Sequence, residues 1–81
     1  MSLQVEVLYF AALRDAAGIP SEHVEADAAD LAALYAIVQA KHRLPFPERQ
    51  LRVAVDGEFA RWHDPLRNGS VVAFIPPVSG G

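Results

Sequence analysis

An α+β roll is the fold class this chain predicts: a mixed sheet of about five strands with one main helix packed on one face. Three observations lead there. Short runs of alternating apolar residues stand at both ends of the chain and in its second half, one long helical period stands between them, and 81 residues leave room for a single hydrophobic core. The apolar fraction of 52% with 21% charged residues is that of a globular domain.

Leu3, Val5, Val7 and Tyr9 alternate with Gln4 and Glu6, the pattern of a half-buried strand. Its opposite face ends in Leu8 and Phe10, so the second half is apolar on both sides and needs a second layer or a partner. Ala11 to Ala17 reads as a short helical segment closed by Gly18 and Pro20. Ser21 to Ala26 alternates weakly and is rich in charge, as an edge strand should be. Asp27 or Asp30 caps the main helix, whose apolar face is Leu31, Leu34, Tyr35 and Val38, with Lys41, His42 and Arg43 at its carbonyl end. Pro45 and Pro47 end it and open a loop through Arg49. Leu51, Val53 and Val55 form a third strand, Asp56-Gly57 a tight hairpin turn, and Glu58 to Arg61 the return. Further turns lie at Asp64-Pro65-Leu66 and Asn68-Gly69. Ser70 to Ile75 is apolar on both faces and predicts a central strand covered on both sides. A hairpin followed by a right-handed helical crossover to a parallel strand accounts for the order. The expected division is a domain over residues 1–75 and an extended tail over 76–81.

Composition excludes several chemistries. There is no cysteine, hence no disulfide, thiolate metal site or thiol nucleophile. Ten acidic against seven basic residues give a net charge of −3, with the arginines scattered, which argues against nucleic acid. Glu6 stands where a signal peptide would be basic, and no apolar run reaches about 18 residues, so no membrane is expected and the expected location is cytoplasmic. His23, His42 and His63 match no metal spacing and read as solvated or capping groups, so no metal site is expected. No serine lies in a nucleophile elbow and no glycine-rich phosphate loop is present. The carboxylates read as caps, turns and strand surface.

The C-terminus stands apart. Pro76-Pro77 stiffens the chain in an extended form, Pro76 to Gly81 spans about 20 Å when extended, and Gly80 and Gly81 lack Cβ atoms, so they fit a narrow channel and leave the terminal carboxylate open to attack. These residues suit a carboxylate delivered to an enzyme.

Val7-Leu8-Tyr9-Phe10-Ala11-Ala12-Leu13-Arg14-Asp15 with Gly18, Val53-Ala54-Val55, Asp64-Pro65-Leu66, Asn68-Gly69 and Val72-Ala73-Phe74-Ile75-Pro76-Pro77-Val78-Ser79-Gly80-Gly81 together resemble, over the whole chain, the small subunits of molybdopterin synthase, sulfur carriers of the ubiquitin-like β-grasp class. The resemblance implies a non-catalytic carrier that binds no cofactor itself. An ATP-using, ubiquitin-activating-like adenylyltransferase would adenylate Gly81, a sulfur donor protein would convert it to a thiocarboxylate, and the loaded tail would enter the synthase large subunit, in a heterotetramer. There sulfur would pass to a cyclic pyranopterin phosphate precursor, and the product would be molybdopterin. Gly81 would be the covalent carrier; Gly80, Ser79, Val78, Pro77 and Pro76 would thread the partner's active site; Phe74, Ile75, Phe10, Leu8 and Arg14 would form the docking surface. Leu8 and Phe74 read equally well as core, and Arg14 as a solvated arginine. The same tail chemistry suits a sulfur carrier for thiazole or cysteine synthesis, or a ubiquitin-like modifier conjugated through Gly81. A non-covalent interaction module is the reading least compatible with the charge.

Overall fold

The computed structural model describes residues 2–77. Eight elements follow one another: β1 (Leu3–Tyr9), α1 (Ala11–Ala17), β2 (Ser21–Ala26), α2 (Leu31–His42), a 3-10 turn (Glu48–Gln50), β3 (Arg52–Val55), β4 (Glu58–Ala60) and β5 (Val71–Ile75). The strands form one mixed sheet in the order β2-β1-β5-β3-β4, which is the predicted roll. The 3-10 turn replaces the plain loop expected after Pro47.

β1 and β2 are an antiparallel hairpin, and the parallel pair is β1 with β5. The expected helical crossover does lead from β2 through α2 to β3, but β1 and β5 lie between those strands in the sheet. α2 starts where the Asp30 side chain accepts a hydrogen bond from the Ala33 backbone N–H at 2.9 Å, so Asp30 rather than Asp27 is its cap. Gly18 closes α1 at φ 80°, a conformation that needs no Cβ. The β3–β4 turn has Asp56 at φ 51° and Gly57 at φ 90°, the two left-handed residues that match the twist of a hairpin.

Alternation sorts each strand. Val5, Val7, Tyr9, Val24, Ala26, Val53, Val72 and Phe74 are buried together with Leu31, Leu34, Tyr35 and Val38 of α2. Phe74 stacks on Trp62 with centroids 5.8 Å apart and planes 7° apart, and meets the Tyr35 ring edge-on at 5.0 Å. The Tyr35 hydroxyl donates to the Phe46 carbonyl at 2.5 Å, and Gln39 Nε2 donates to the same oxygen at 3.0 Å, which holds the segment after α2 against the core. β5 is central, but only one of its faces lies in the core: Val71, Ala73 and Ile75 remain half-buried on the other.

Glu22 departs from the surface role expected of the carboxylates. Its side chain, 12% exposed, accepts hydrogen bonds from the Tyr9 hydroxyl at 2.6 Å and from Lys41 Nζ at 2.8 Å, and its Oε2 lies 2.5 Å from His42 Nε2. His42 is thus a half-buried link between α2 and β2, its ring also edge-on to Tyr9 at 5.5 Å, and not a solvated or capping group. Burial pushes the Glu22 carboxyl up, but the donors Lys41, Tyr9 and His42 and the attraction of His42 outweigh it and hold the group at about 2. Burial and the contact with Glu22 push the Tyr9 hydroxyl well up, so it remains a donor.

Because the carboxyl lies below its ordinary 4.5 in the folded state, the cluster's contribution is complete above pH 4.5 and is lost as pH falls toward 2. Glu22→Gln is expected to cost about 2 kcal/mol at pH 7. In urea titrations the variant and the unaltered chain should converge as pH falls through that window; a constant gap down to pH 2 would rule out the ionised carboxylate as the source.

Candidate functional site

The sheet face opposite α2 is laid out by register. Ser21, Leu8, Ala73, Ala54 and Phe59 are successive partners from β2 to β4, so one row crosses all five strands. Beside it Ile75 is the partner of Arg52. Leu8, Ala54, Ala73 and Ile75 are half-buried; Phe59 is 70% exposed and Phe10 46%. The row is small in its centre and ends in Phe59 at the β4 rim, which makes a shallow apolar surface beside that ring, with Phe10 exposed just beyond the end of β1. Exposed apolar surface of this kind marks interaction sites.

Local backbone geometry holds Phe10 outside. It is the N-cap of α1, extended at φ −119°, and the next residue, Ala11, takes φ 50°. A left-handed alanine costs about 1–2 kcal/mol. The sharp bend that it makes between β1 and α1 lets Leu13 enter the core while Phe10 and Arg14 stay exposed.

β5 delivers the chain to the tail. Ile75 lies half-buried on the outer face, Pro76 is buried, and Pro77 is exposed, so the chain leaves the domain at Pro77. Val78, Ser79, Gly80 and Gly81, the rest of the expected tail and its carrier residue, lie outside the described residues. A groove of about 510 Å³ runs beside this exit, lined by Arg49, Arg52, Phe59, Ile75, Pro76 and Pro77.

One expected docking residue is misplaced. Phe74 is 0% exposed, since it shares the parity of Val72 and faces Tyr35 and Trp62, and it belongs to the core. Leu8, whose two readings stood open, is half-buried on the outer face with Ile75, while Phe10 and Arg14, outside the strands, are exposed. Phe59 and Arg52 were not anticipated, although a lone aromatic residue among Glu58, Ala60 and Arg61 in a short return strand was a signal for them. The Arg52 guanidinium lies 5.7 Å from the centre of the Phe59 ring. Among the described residues no group of three or more His, Asp or Glu side chains is placed to hold a metal ion, and no helix is long and apolar enough to cross a membrane.

The ThiS family model matches residues 7–81, from the second half of β1 through the other four strands to the C-terminus. The chain belongs to the ThiS family. Its sequence is 34% identical over 80 residues to the molybdopterin synthase sulfur carrier subunit of Escherichia coli, covering 95% of this chain and 99% of that protein. Among solved structures it is similar to a putative molybdopterin converting factor subunit 1 from Pyrococcus furiosus, with a TM-score of 0.79, 30% identity and coverage of 95% and 100%. It is also similar to a chain in the protein–protein complex of subunits 1 and 2 of the molybdopterin-converting factor from Helicobacter pylori, with a TM-score of 0.68, 29% identity and coverage of 98% and 100%. The fold is thereby that of the ubiquitin-like β-grasp proteins, and this ThiS-family chain covers its relatives nearly end to end.

The two phenylalanines of the sheet should separate cleanly. Phe74→Ala is expected to cost about 3–5 kcal/mol, and Phe59→Ala less than about 0.5 kcal/mol, in denaturant unfolding. Comparable losses at both positions would contradict the assignment of faces.

Proposed function

We infer that this chain is the sulfur carrier subunit of a molybdopterin synthase, with Gly81 as the carrier residue. The observation that bears most weight is the family match running through the C-terminal Gly-Gly, joined to a central strand that leads straight into the double proline.

The chemistry follows from a carboxylate at the end of a slender tail. A free carboxylate is a poor electrophile. An ATP-dependent adenylyltransferase converts the Gly81 carboxylate to an acyl adenylate with release of pyrophosphate; a sulfur donor protein then supplies sulfur to the acyl carbon and AMP leaves, which gives a thiocarboxylate. The chain itself binds no cofactor and supplies no acid or base. The loaded tail, Pro76 to Gly81, enters the large subunit, whose active site takes up the sulfur for a cyclic pyranopterin phosphate precursor, and the product is molybdopterin. Leu8, Phe10, Ile75 and Arg14, together with Phe59, meet that partner as the docking face. The complex known for the Helicobacter pylori relative supports a large-subunit partner. A heterotetramer of two carriers and two large subunits, in the cytoplasm, is the assembly this reading expects.

Two features of the fold support the division of labour. The domain has no catalytic constellation among its described side chains: its one ionised cluster, around Glu22, holds α2 to the β1–β2 hairpin and lies on the core side of the sheet. The half-buried Ile75 of the outer face stands two residues before the exposed Pro77, so a partner that covers this face also lies beside the start of the tail.

Deletion of Gly81 tests the reading. Sulfur transfer to the precursor, reconstituted with activating enzyme, sulfur donor and large subunit, should fall to background, while the melting temperature stays that of the full chain. Retained transfer would rule out Gly81 as the carrier, and isopeptide conjugates of the chain as the main product in lysate would favour the protein-modifier alternative.

A further inference from the structure

Phe59 stands between two grooves of opposite charge. On its hairpin side a groove of about 440 Å³ is lined by Asp56, Glu58 and Asp64, with Arg67 as its cation. On its tail side the groove of about 510 Å³ contains Arg49 and Arg52 and, among the described residues, no carboxylate. The chain as a whole carries a net charge of −3, so this concentration of positive charge runs against its average. Both arginines are exposed, and among the described residues neither forms an ion pair with a carboxylate.

We propose that the basic groove receives a carboxylate-bearing segment, an Asp or Glu side chain, of the large-subunit partner, and that Arg49 and Arg52 form the charged rim of the same interface that guides the tail. The proposal rests on the carrier reading above and names the chemistry of the partner at one place. Three observations carry it. The groove is continuous with the tail exit, since Pro76 and Pro77 form part of its wall. Arg52 already lies against the Phe59 ring, so its fork-shaped donor set is held in place and loses less freedom on meeting a carboxylate than a free lysine would. Burial of Phe59 by a partner would also exclude water from the rim beside it, and would leave two guanidinium groups in need of acceptors. The acidic groove across Phe59 gives the surface a polarity, so a partner presenting carboxylates can seat in one orientation only.

The test is the affinity of the full chain for its co-expressed large subunit, measured by calorimetry at low and high salt. Arg49→Glu with Arg52→Glu should weaken binding by about tenfold or more at low salt, with a smaller effect at high salt. Arg52→Lys should lose less than Arg52→Glu. Arg67→Glu, which changes the net charge as much as either single reversal but lies across Phe59, should stay within about twofold. Unaltered melting temperatures show that all variants fold. An unchanged or tighter complex with the double reversal overturns the proposal, and so does a loss from Arg67→Glu equal to that from Arg52→Glu alone, which would reduce the effect to net charge. Failure of the unaltered chain to bind the large subunit at all overturns the carrier reading, and this proposal with it.

Discussion

The parallel pairing of β1 with β5 is the constraint on which the rest of the molecule depends. It joins the first strand to the last, so the β1–β2 and β3–β4 hairpins become one sheet only when the chain is nearly complete. Hydrogen bonds at the start of β5 set its register. Gln4 N–H donates to Asn68 Oδ1 at 2.8 Å, Gly69 N–H to the Gln4 carbonyl at 2.6 Å, and Glu6 N–H to the Ser70 carbonyl at 3.0 Å. On the other flank Asp56 Oδ1 accepts from Val71 N–H at 2.9 Å while Asp56 N–H donates to the Val71 carbonyl. A slip of one residue would exchange Val72 and Phe74 for Val71, Ala73 and Ile75, emptying the core and burying the outer face.

With β5 held on both sides, the two faces of the sheet take different tasks. The α2 side has the aromatic contacts of Tyr35, Trp62 and Phe74 and the buried aliphatic residues that stabilise the domain. The other side has small residues at its centre and Phe10 and Phe59 at its rims. At the end of β1 the left-handed Ala11 stands between the exposed Phe10 and the buried Leu13, a backbone strain stored beside this surface. A carrier needs a rigid body behind a slender tail, and a central strand paired on both edges is the least yielding place from which a tail can start.

Much of this was legible because alternation and helical period are direct readouts of burial. The face Leu3, Val5, Val7, Tyr9, the helix face Leu31, Leu34, Tyr35, Val38 and the Asp56-Gly57 turn all followed from spacing alone. Phe74 stayed open between core and docking surface. An apolar run such as Val71 to Ile75 has no polar residue to mark which parity faces out, and only the pairing of Phe74 with Tyr9 and Val53 decides it. Long-range partners also explain why Glu22 and His42 were read as surface groups: their contact joins residues 20 apart in sequence across a strand and a helix end. Phe59 was missed because a three-residue edge strand is too short to show a period. The tail was legible for a different reason, since Pro-Pro and Gly-Gly declare their backbone properties without tertiary context, and the family match extends over it.

Sulfur carriage at Gly81 rests on the chemical state of the terminal carboxyl. Intact-mass spectrometry of the chain co-expressed with its activating enzyme and sulfur donor should show the increment for replacement of one oxygen by sulfur, located at Gly81 by fragmentation and absent when the activating enzyme is left out. A chain that stays unmodified with all components present, or an increment located anywhere but the C-terminus, would contradict it.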